Sequence, residues 1–326
     1  MTFRPSRIAR RLAAGLSLAA AAWAPLAASA AYPDKEIKLS VGYGAGGVGD
    51  VSARLLAKTM EKDLKVPIVV LNKAGAQATL NPAQLMHQPA DGYNVGVLTF
   101  APMAIVPHML PVPYTAKDFI FVGAFGRFQY GLAVKADSPY KTVDDLVAAS
   151  KKGKSLFFGA PGAPNNIALY DLGRKTGGNF EQVLYKSGSD TVLALVAGQV
   201  EVIIQTPSEI VPHVQSGKLR LLASVSPARW ADRPDMPTMR ELGYDVQIES
   251  WMGLAVPKGT PNEIVQRLQG SMLGAMKDPE LVQSLQRMGI DPVTMSGADY
   301  ARMIDEGYVQ MGKALKDTGL LSQQAK

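Results

Sequence analysis

The chain has 326 residues, with 34 Lys and Arg against 28 Asp and Glu, a formal net charge of +6, hydrophobic residues at 47% and no Cys. That composition excludes a disulfide scaffold and a cysteine-ligated metal centre, and it is too apolar for a disordered chain. Two domains are the natural expectation at this length.

In chain order, the first thirty residues predict an export signal that is removed. Arg4, Arg7, Arg10 and Arg11 form a basic start, Leu12 to Ala22 an apolar run, and Ala28-Ser29-Ala30 a cleavage site, so cleavage is expected after Ala30. An Ala-rich stretch ending in small residues does not suit a membrane anchor, and with no Cys behind it no lipid would be attached. Loss of the four arginines takes the formal charge from +6 to +2. The basicity is mostly that of the signal, and a nucleic-acid partner is not expected.

Ile37 to Val41 predicts a strand that runs into Gly42-Tyr43-Gly44-Ala45-Gly46-Gly47. This is the glycine spacing of a dinucleotide site, which also needs an acid at the end of the next strand. The next strand, Ile68 to Leu71, ends in Asn72 and Lys73, so neither NAD nor any other cofactor is expected. A helix is predicted over Asp50 to Leu64, a further helix around Pro82 to Met86, a turn over Pro89 to Gly92 and a strand over Tyr93 to Leu98. The order βαβαβ implies a parallel sheet. A proline-spotted loop follows from Pro102 to Pro113.

A near-repeat marks the middle of the chain. GLAVKADSPYKTVDDL starts at Gly131 and GLAVPKGTPNEIVQRL at Gly253, each read as a strand, a turn and a helix whose start is signalled by Ser138-Pro139 or Thr260-Pro261. Between them lies a second α/β set: strands at Leu156 to Gly159, Gln182 to Tyr185, Val200 to Ile204 and Leu219 to Val225, with helices at Asn165 to Lys175 and Ser189 to Ala197. The expectation is two α/β lobes joined by two adjacent crossing strands. Residues 31–130 with 253–326 form the first lobe and 131–252 the second, hinged near 127–135 and 248–257.

Each lobe opens with a strand, a Gly/Pro-rich turn and a helix N-terminus. Such ends carry unpaired N–H groups and partial positive charge, so two of them facing one cleft make an anion clamp. Gly46 and Gly47 are expected at positive φ, letting a ligand approach the backbone.

Several ordered stretches carry a family resemblance: GAGGVGDVSAR (Gly44 to Arg54), VVLNKAGA (Val69 to Ala76), YKSGSDTVLALVAGQVEV (Tyr185 to Val202), GKLRLLASVSPARW (Gly217 to Trp230), MPTMRELGYDV (Met236 to Val246) and WMGLAVPKGTP (Trp251 to Pro261). The mature chain resembles the extracytoplasmic solute receptors of tripartite tricarboxylate transporters, the TctC or Bug family. The resemblance implies a type II periplasmic binding protein without catalysis. It would be a monomer that holds a small mono-, di- or tricarboxylate and hands it to a membrane permease of a large and a small subunit.

Carried over, the two binding loops are Gly44 to Asp50 (Gly44, Ala45, Gly46, Gly47, Asp50), with Tyr43 just before it as a further candidate, and Ala160 to Asn166 (Ala160, Gly162, Asn165, Asn166). The chain departs from the family pattern in three places. Gly49 stands where a Ser or Thr is usual, Pro164-Asn165 where Gly and a hydroxyl residue are usual, and Ala76-Gln77-Ala78 where Ala-Gly-Gly is usual. Gln77 therefore adds an amide near the cleft.

Asp50 reads first as a helix N-cap. For Asn165, Asn166, Ser187 and Ser189, cap and ligand contact stay open. Arg127 could clamp a carboxylate. Thr99 and Phe100 end one strand, and Gln205 and Thr206 another, at the sheet edge where ligands lie, with Phe100 read first as core. His87, His108 and His213 are isolated in sequence and no nucleophile motif is present, so catalytic and metal residues are not expected. A periplasmic enzyme acting on a small organic acid is the alternative.

Overall fold

Burial of Ile37, Leu39 and Val41 against exposed Lys38 makes Ile37–Val41 the first strand, β1. A computed structural model describes residues 32–317 apart from Lys154, Gly162 and Lys186. The predicted signal and its cleavage site lie outside these residues. Chain contacts separate the segment up to Asp34 from a unit that begins at Lys35 and holds all the strands and helices.

Helix α1 (Val48–Leu64) buries Ala53, Leu56, Ala57, Met60 and Leu64, the i, i+3, i+4 stripe of an amphipathic helix. It stops at Lys65, which is left-handed at φ 61 and returns its N–H to the Glu61 carbonyl. β2 (Ile68–Asn72), α2 (Leu80–Leu85) and β3 (Asn94–Thr99) follow, and β1 pairs in parallel with both β2 and β3. The loop expected at Pro102 to Pro113 begins instead as helical turns, Ala101–Ile105 and Val106–His108, packed under the sheet. β4 is a ten-residue strand, Phe119–Phe128.

The chain then changes sheet. β5 (Gly131–Lys135), α3 (Val143–Ser150), β6 (Leu156–Ala160), α4 (Asn165–Thr176), β7 (Phe180–Leu184), α5 (Gly188–Val196), β8 (Val202–Gln205), α6 (Pro207–Gln215) and β9 (Leu219–Ser224) build a five-stranded sheet in the order β7-β6-β8-β5-β9. β10 (Trp251–Pro257) returns to the first sheet. α7 (Asn262–Ala275), α8 (Pro279–Arg287), β11 (Ile290–Asp291), β12 (Met295–Ser296) and α9 (Gly297–Asp317) complete it, in the order β11-β4-β10-β3-β1-β2 with β12 on β4. The fold is two α/β lobes.

The near-repeat acquires a meaning here that differs from the expected one. β5 and β10 are not adjacent: β5 pairs antiparallel with β8 and β9, and β10 pairs antiparallel with β3 and β4. Each is the antiparallel strand slotted between the third and fourth strands of the sheet it enters. Their leading glycines share a cause. A Cβ on Gly131 would lie 2.8 Å from the Trp230 ring, and one on Gly253 would overlap the Tyr300 ring. Both Trp230 and Tyr300 are fully buried. In each sheet an aromatic ring lies across the incoming strand, and only glycine leaves it room.

The helix start expected at Ser138-Pro139 falls later. α3 begins at Val143 behind Thr142, whose hydroxyl accepts the Asp145 N–H while Asp145 accepts the Thr142 N–H, a reciprocal cap that outcompetes the proline signal.

Candidate functional site

A cavity of about 470 Å³ opens between the two sheets, a size that suits a small solute. Tyr43, Gly44, Ala45, Gly47, Val48 and Gly49 line it from the first lobe, and Ala163, Pro164, Asn165, Thr206 and Glu209 from the second. Phe128, Tyr130 and Ser250, at the two passages between lobes, and Ala101 complete its lining.

The first loop is braced from behind. Asp50 is only 2% exposed. Its carboxylate accepts the Gly46 N–H (2.9 Å), the Arg54 Nε–H (3.0 Å) and the Asn72 Nδ2–H (2.8 Å). Burial pushes its carboxyl upward, but these hydrogen bonds outweigh burial and hold it below the ordinary carboxylate range. Asp50 is the third residue of α1 and not its N-cap. The cap is Gly47, which contributes no side-chain bond.

Asn72, at the position where a dinucleotide site would carry its acid, also donates to the Tyr43 carbonyl at 2.9 Å. It is a strut for the loop. Gly46 has φ +81 and supplies the turn, whereas Gly47 at φ −73 is extended and needs no glycine for its backbone.

Tyr43 explains the missing hydroxyl residue at position 49. Its ring packs over Gly49, where a Cβ would stand 2.6 Å from it, and its phenol shares a 2.7 Å hydrogen bond with Thr99. Burial raises the Tyr43 pKa against the smaller opposing effect of Thr99. The phenol is therefore neutral, on a residue that lines the cavity.

In the second lobe Asn165 and Asn166 are the first two residues of α4, behind Pro164 as N-cap, so neither side chain caps it. Asn165 turns its amide to the Ile204 carbonyl (2.5 Å) and to Gln205 Oε1 (3.2 Å), and Asn166 donates to Gln182 at 3.2 Å. These bonds fasten the helix start to the end of β8 and the middle of β7, and Ala163 to Asn165 at that start line the cavity. The N-termini of α1, α4 and α6 all border the cavity, and none has a side-chain cap. Of the helices that start elsewhere, α3, α5 and α8 are capped by Thr142, Ser187 and Asp278, whereas α2 and α7 have no side-chain cap either, so it is the shared cavity that sets α1, α4 and α6 apart. Uncapped first-turn amides are donors awaiting an acceptor.

Other predicted residues lie off the cavity wall. Arg127 is held by Asp291 at 2.5 Å, with Glu249 at 3.8 Å and the Trp251 ring beneath it, so its fork is already occupied. Phe100 is core, its ring against Gly307 of α9. Thr99 and Gln205 are buried supports for Tyr43 and Asn165. Ala160 lends its carbonyl to the Tyr185 N–H at 3.1 Å. Ser187 caps α5 by accepting the Asp190 N–H at 3.1 Å, and Ser189 is exposed on the same turn. Gly162 lies outside the described residues.

Gln77 is exposed and belongs to a run, Ala76, Gln77 and Ala78, with φ of 46, 56 and 67. Each left-handed non-glycine costs roughly 1–2 kcal/mol. Net of the extra chain entropy of an unfolded glycine, Gln77→Gly is expected to raise the melting temperature by about 1–3 °C. A thermal melt that falls instead would show that the side chain makes a compensating contact.

Sequence reasoning missed Tyr130, Ser250 and Glu209. The first two fall inside the expected hinge segments 127–135 and 248–257, but nothing local marks which residues of those segments line the cavity. Glu209 had a local signal, since Thr206-Pro207-Ser208-Glu209 has the spacing of a capping box. In the fold the Thr206 hydroxyl donates to Glu209 Oε2 at 2.9 Å and Glu209 lines the cavity. Burial raises its pKa, and hydrogen bonds from Thr206 work against this. His108 bonds the Tyr308 carbonyl on α9, and no His, Asp or Glu group among the described residues could hold a metal ion. No helix among them is long and apolar enough to cross a membrane.

The family model for the tripartite tricarboxylate transporter family receptor matches residues 52–320. A Cupriavidus necator relative, the UPF0065 protein in the gbd 5' region, is 34% identical over 317 residues, covering 96% of this chain and 96% of its own. A TctC solute binding protein from Polaromonas superposes with a TM-score of 0.75 at 29% identity, over 87% of this chain and 99% of that one. An R. palustris protein solved with adipate gives a TM-score of 0.79 at 25% identity, over 88% and 98%.

Proposed function

Since the chain belongs to the tripartite tricarboxylate transporter receptor family, we propose that it is a periplasmic receptor that captures a small carboxylate-bearing solute between its lobes and releases it unchanged to a membrane permease. The observation that carries this is the convergence of uncapped helix N-termini from both lobes, α1 and α4, on one cavity of about 470 Å³. Their amides and partial positive charge stabilise an anion without any cationic side chain. The adipate held by the R. palustris neighbour is a carboxylate of this class. Closure of the lobes would turn about residues 127–135 and 248–257, bringing the two loops onto the ligand.

Calorimetry with adipate and other mono-, di- and tricarboxylates, each beside its methyl ester, tests the anion site. A charge-assisted hydrogen bond contributes about 1.5–3 kcal/mol, so esterification is expected to weaken binding roughly tenfold to hundredfold. Acid and ester binding equally would reject the clamp. Conversion of the bound acid to a product would reject the receptor function.

A further inference from the structure

Glu209 is a carboxylate on the wall of a cavity built to attract carboxylates. Among the described lining residues it is the only one with a charged side chain: the rest are glycines, apolar groups, Tyr43, Tyr130, Asn165, Thr206 and Ser250. No described Lys, Arg or His forms an ion pair with it; the Thr206 hydroxyl is its side-chain partner at 2.9 Å. Its carboxylate packs against Gly188 at the start of α5, so closely that a Cβ on Gly188 would collide with it. That contact and the Thr206 bond fix its place beside the first turn of α6. The other helix N-termini, α1 and α4, enter the cavity through Tyr43 to Gly49 and through Ala163 to Asn165.

A plain dicarboxylate filling this cavity would bring one of its anionic ends toward an anion that is hydrogen-bonded to Thr206 but forms no ion pair with any described residue. Like charges in a partly desolvated space repel by several-fold more than in water. A solute with a carboxylate at one end and a cation at the other meets matched charges instead. We propose that Glu209 is a specificity-determining residue that selects a zwitterionic solute, one bearing a protonated amine or similar cationic donor together with its carboxylate. This rests on the carboxylate site proposed above, with α1 and α4 holding the acid and Glu209 the cation. Tyr43 and Tyr130 line the same cavity.

Matched pairs that differ only by an amine test this: succinate with aspartate, glutarate with glutamate, and butyrate with 4-aminobutyrate, titrated by calorimetry into the wild type and Glu209→Gln. The glutamine keeps the shape and an acceptor for Thr206 but removes the charge, and a melting curve checks that the variant is folded. The wild type is expected to favour the amine-bearing member of at least one pair by about tenfold to hundredfold. In Glu209→Gln the preference should collapse to within about threefold, the change expected when one charge-assisted contact is lost. If the amine-free acids bind as well or better, or if Glu209→Gln keeps the preference, the assignment of Glu209 falls while the carboxylate site stands. If none of the six binds at millimolar concentration, both fall.

Discussion

Gly253→Val is expected to yield no folded protein at 25 °C. Gly253 sits in β10 opposite Leu98 on one side and Ala124 on the other. A Cβ there would overlap the Tyr300 ring and stand 2.5 Å from the Gly123 carbonyl oxygen. Neither can retreat: the carbonyl belongs to the sheet, and Tyr300 is fully buried, donates to the Leu98 carbonyl at 2.6 Å and packs edge-on to Phe121. Overpacking that side chains can absorb costs about 1–3 kcal/mol. Here backbone must move, and the cost should exceed about 4 kcal/mol, a large share of the whole stability of a typical domain.

The matching position in the second sheet is milder. At Gly131 the nearest atoms are the side chains of Leu221 and Trp230, at 2.8 Å, so Gly131→Ala should cost only about 1–3 kcal/mol. Circular dichroism melts of both variants decide it. A Gly253→Val protein that melts within a few degrees of the wild type would refute the packing account.

Asp50→Ala is expected to lose about 2–3 kcal/mol at neutral pH, from the stranded Asn72 amide and Gly46 N–H, or roughly 4–10 °C of melting temperature. The ion pair itself adds little, because the Arg54 side chain is 48% exposed. The sign of the pH dependence follows from the depressed Asp50 pKa. A carboxyl held below its unfolded value contributes stability that is present above the ordinary carboxylate range and is lost as pH falls through its folded value. The gap between wild type and Asp50→Ala should therefore be full at pH 7 and shrink below about pH 4. Urea titrations at the two pH values measure it. A gap unchanged in acid would mean that the charge of Asp50 is not what braces the loop. Binding should fall as well, since the Gly44 to Gly47 turn loses its anchor.

Both sites show what was legible in the chain and what was not. The apolar run Ile37 to Val41 and the apolar positions Val51, Leu55 and Met60 predicted a strand, a glycine turn and a helix, although the face the helix buries carries Leu56, Met60 and Leu64. The same reading located the second strand–turn–helix at Ala160 to Asn166, and with it the two loops that meet in the cavity. These are local features, because burial on one face of a strand or helix imposes a period that neighbouring residues share. The paired GLAV segments were legible as related, but their relation was not. They are equivalent strands in different sheets, and strand order depends on which distant segments pair, as Gly131 does with Gln205 and Gly253 with Leu98.

The individual roles were decided the same way. Arg127 looked free for a ligand until the fold brought Asp291, 164 positions away, onto it. Asn165 was open to both cap and ligand contact until Ile204 and Gln205 claimed its amide. Asp50 already had Arg54 one helical turn away, but its bond to Asn72 required β2 to lie beside β1. The sequence by itself determined the elements, the two glycine- and proline-marked helix starts and the kinship to solute receptors. Only the tertiary structure decided which polar groups are already satisfied and which are left facing the cavity, Glu209 among them. A side chain's hydrogen-bond partners are set by distant backbone brought near, and no local period encodes them.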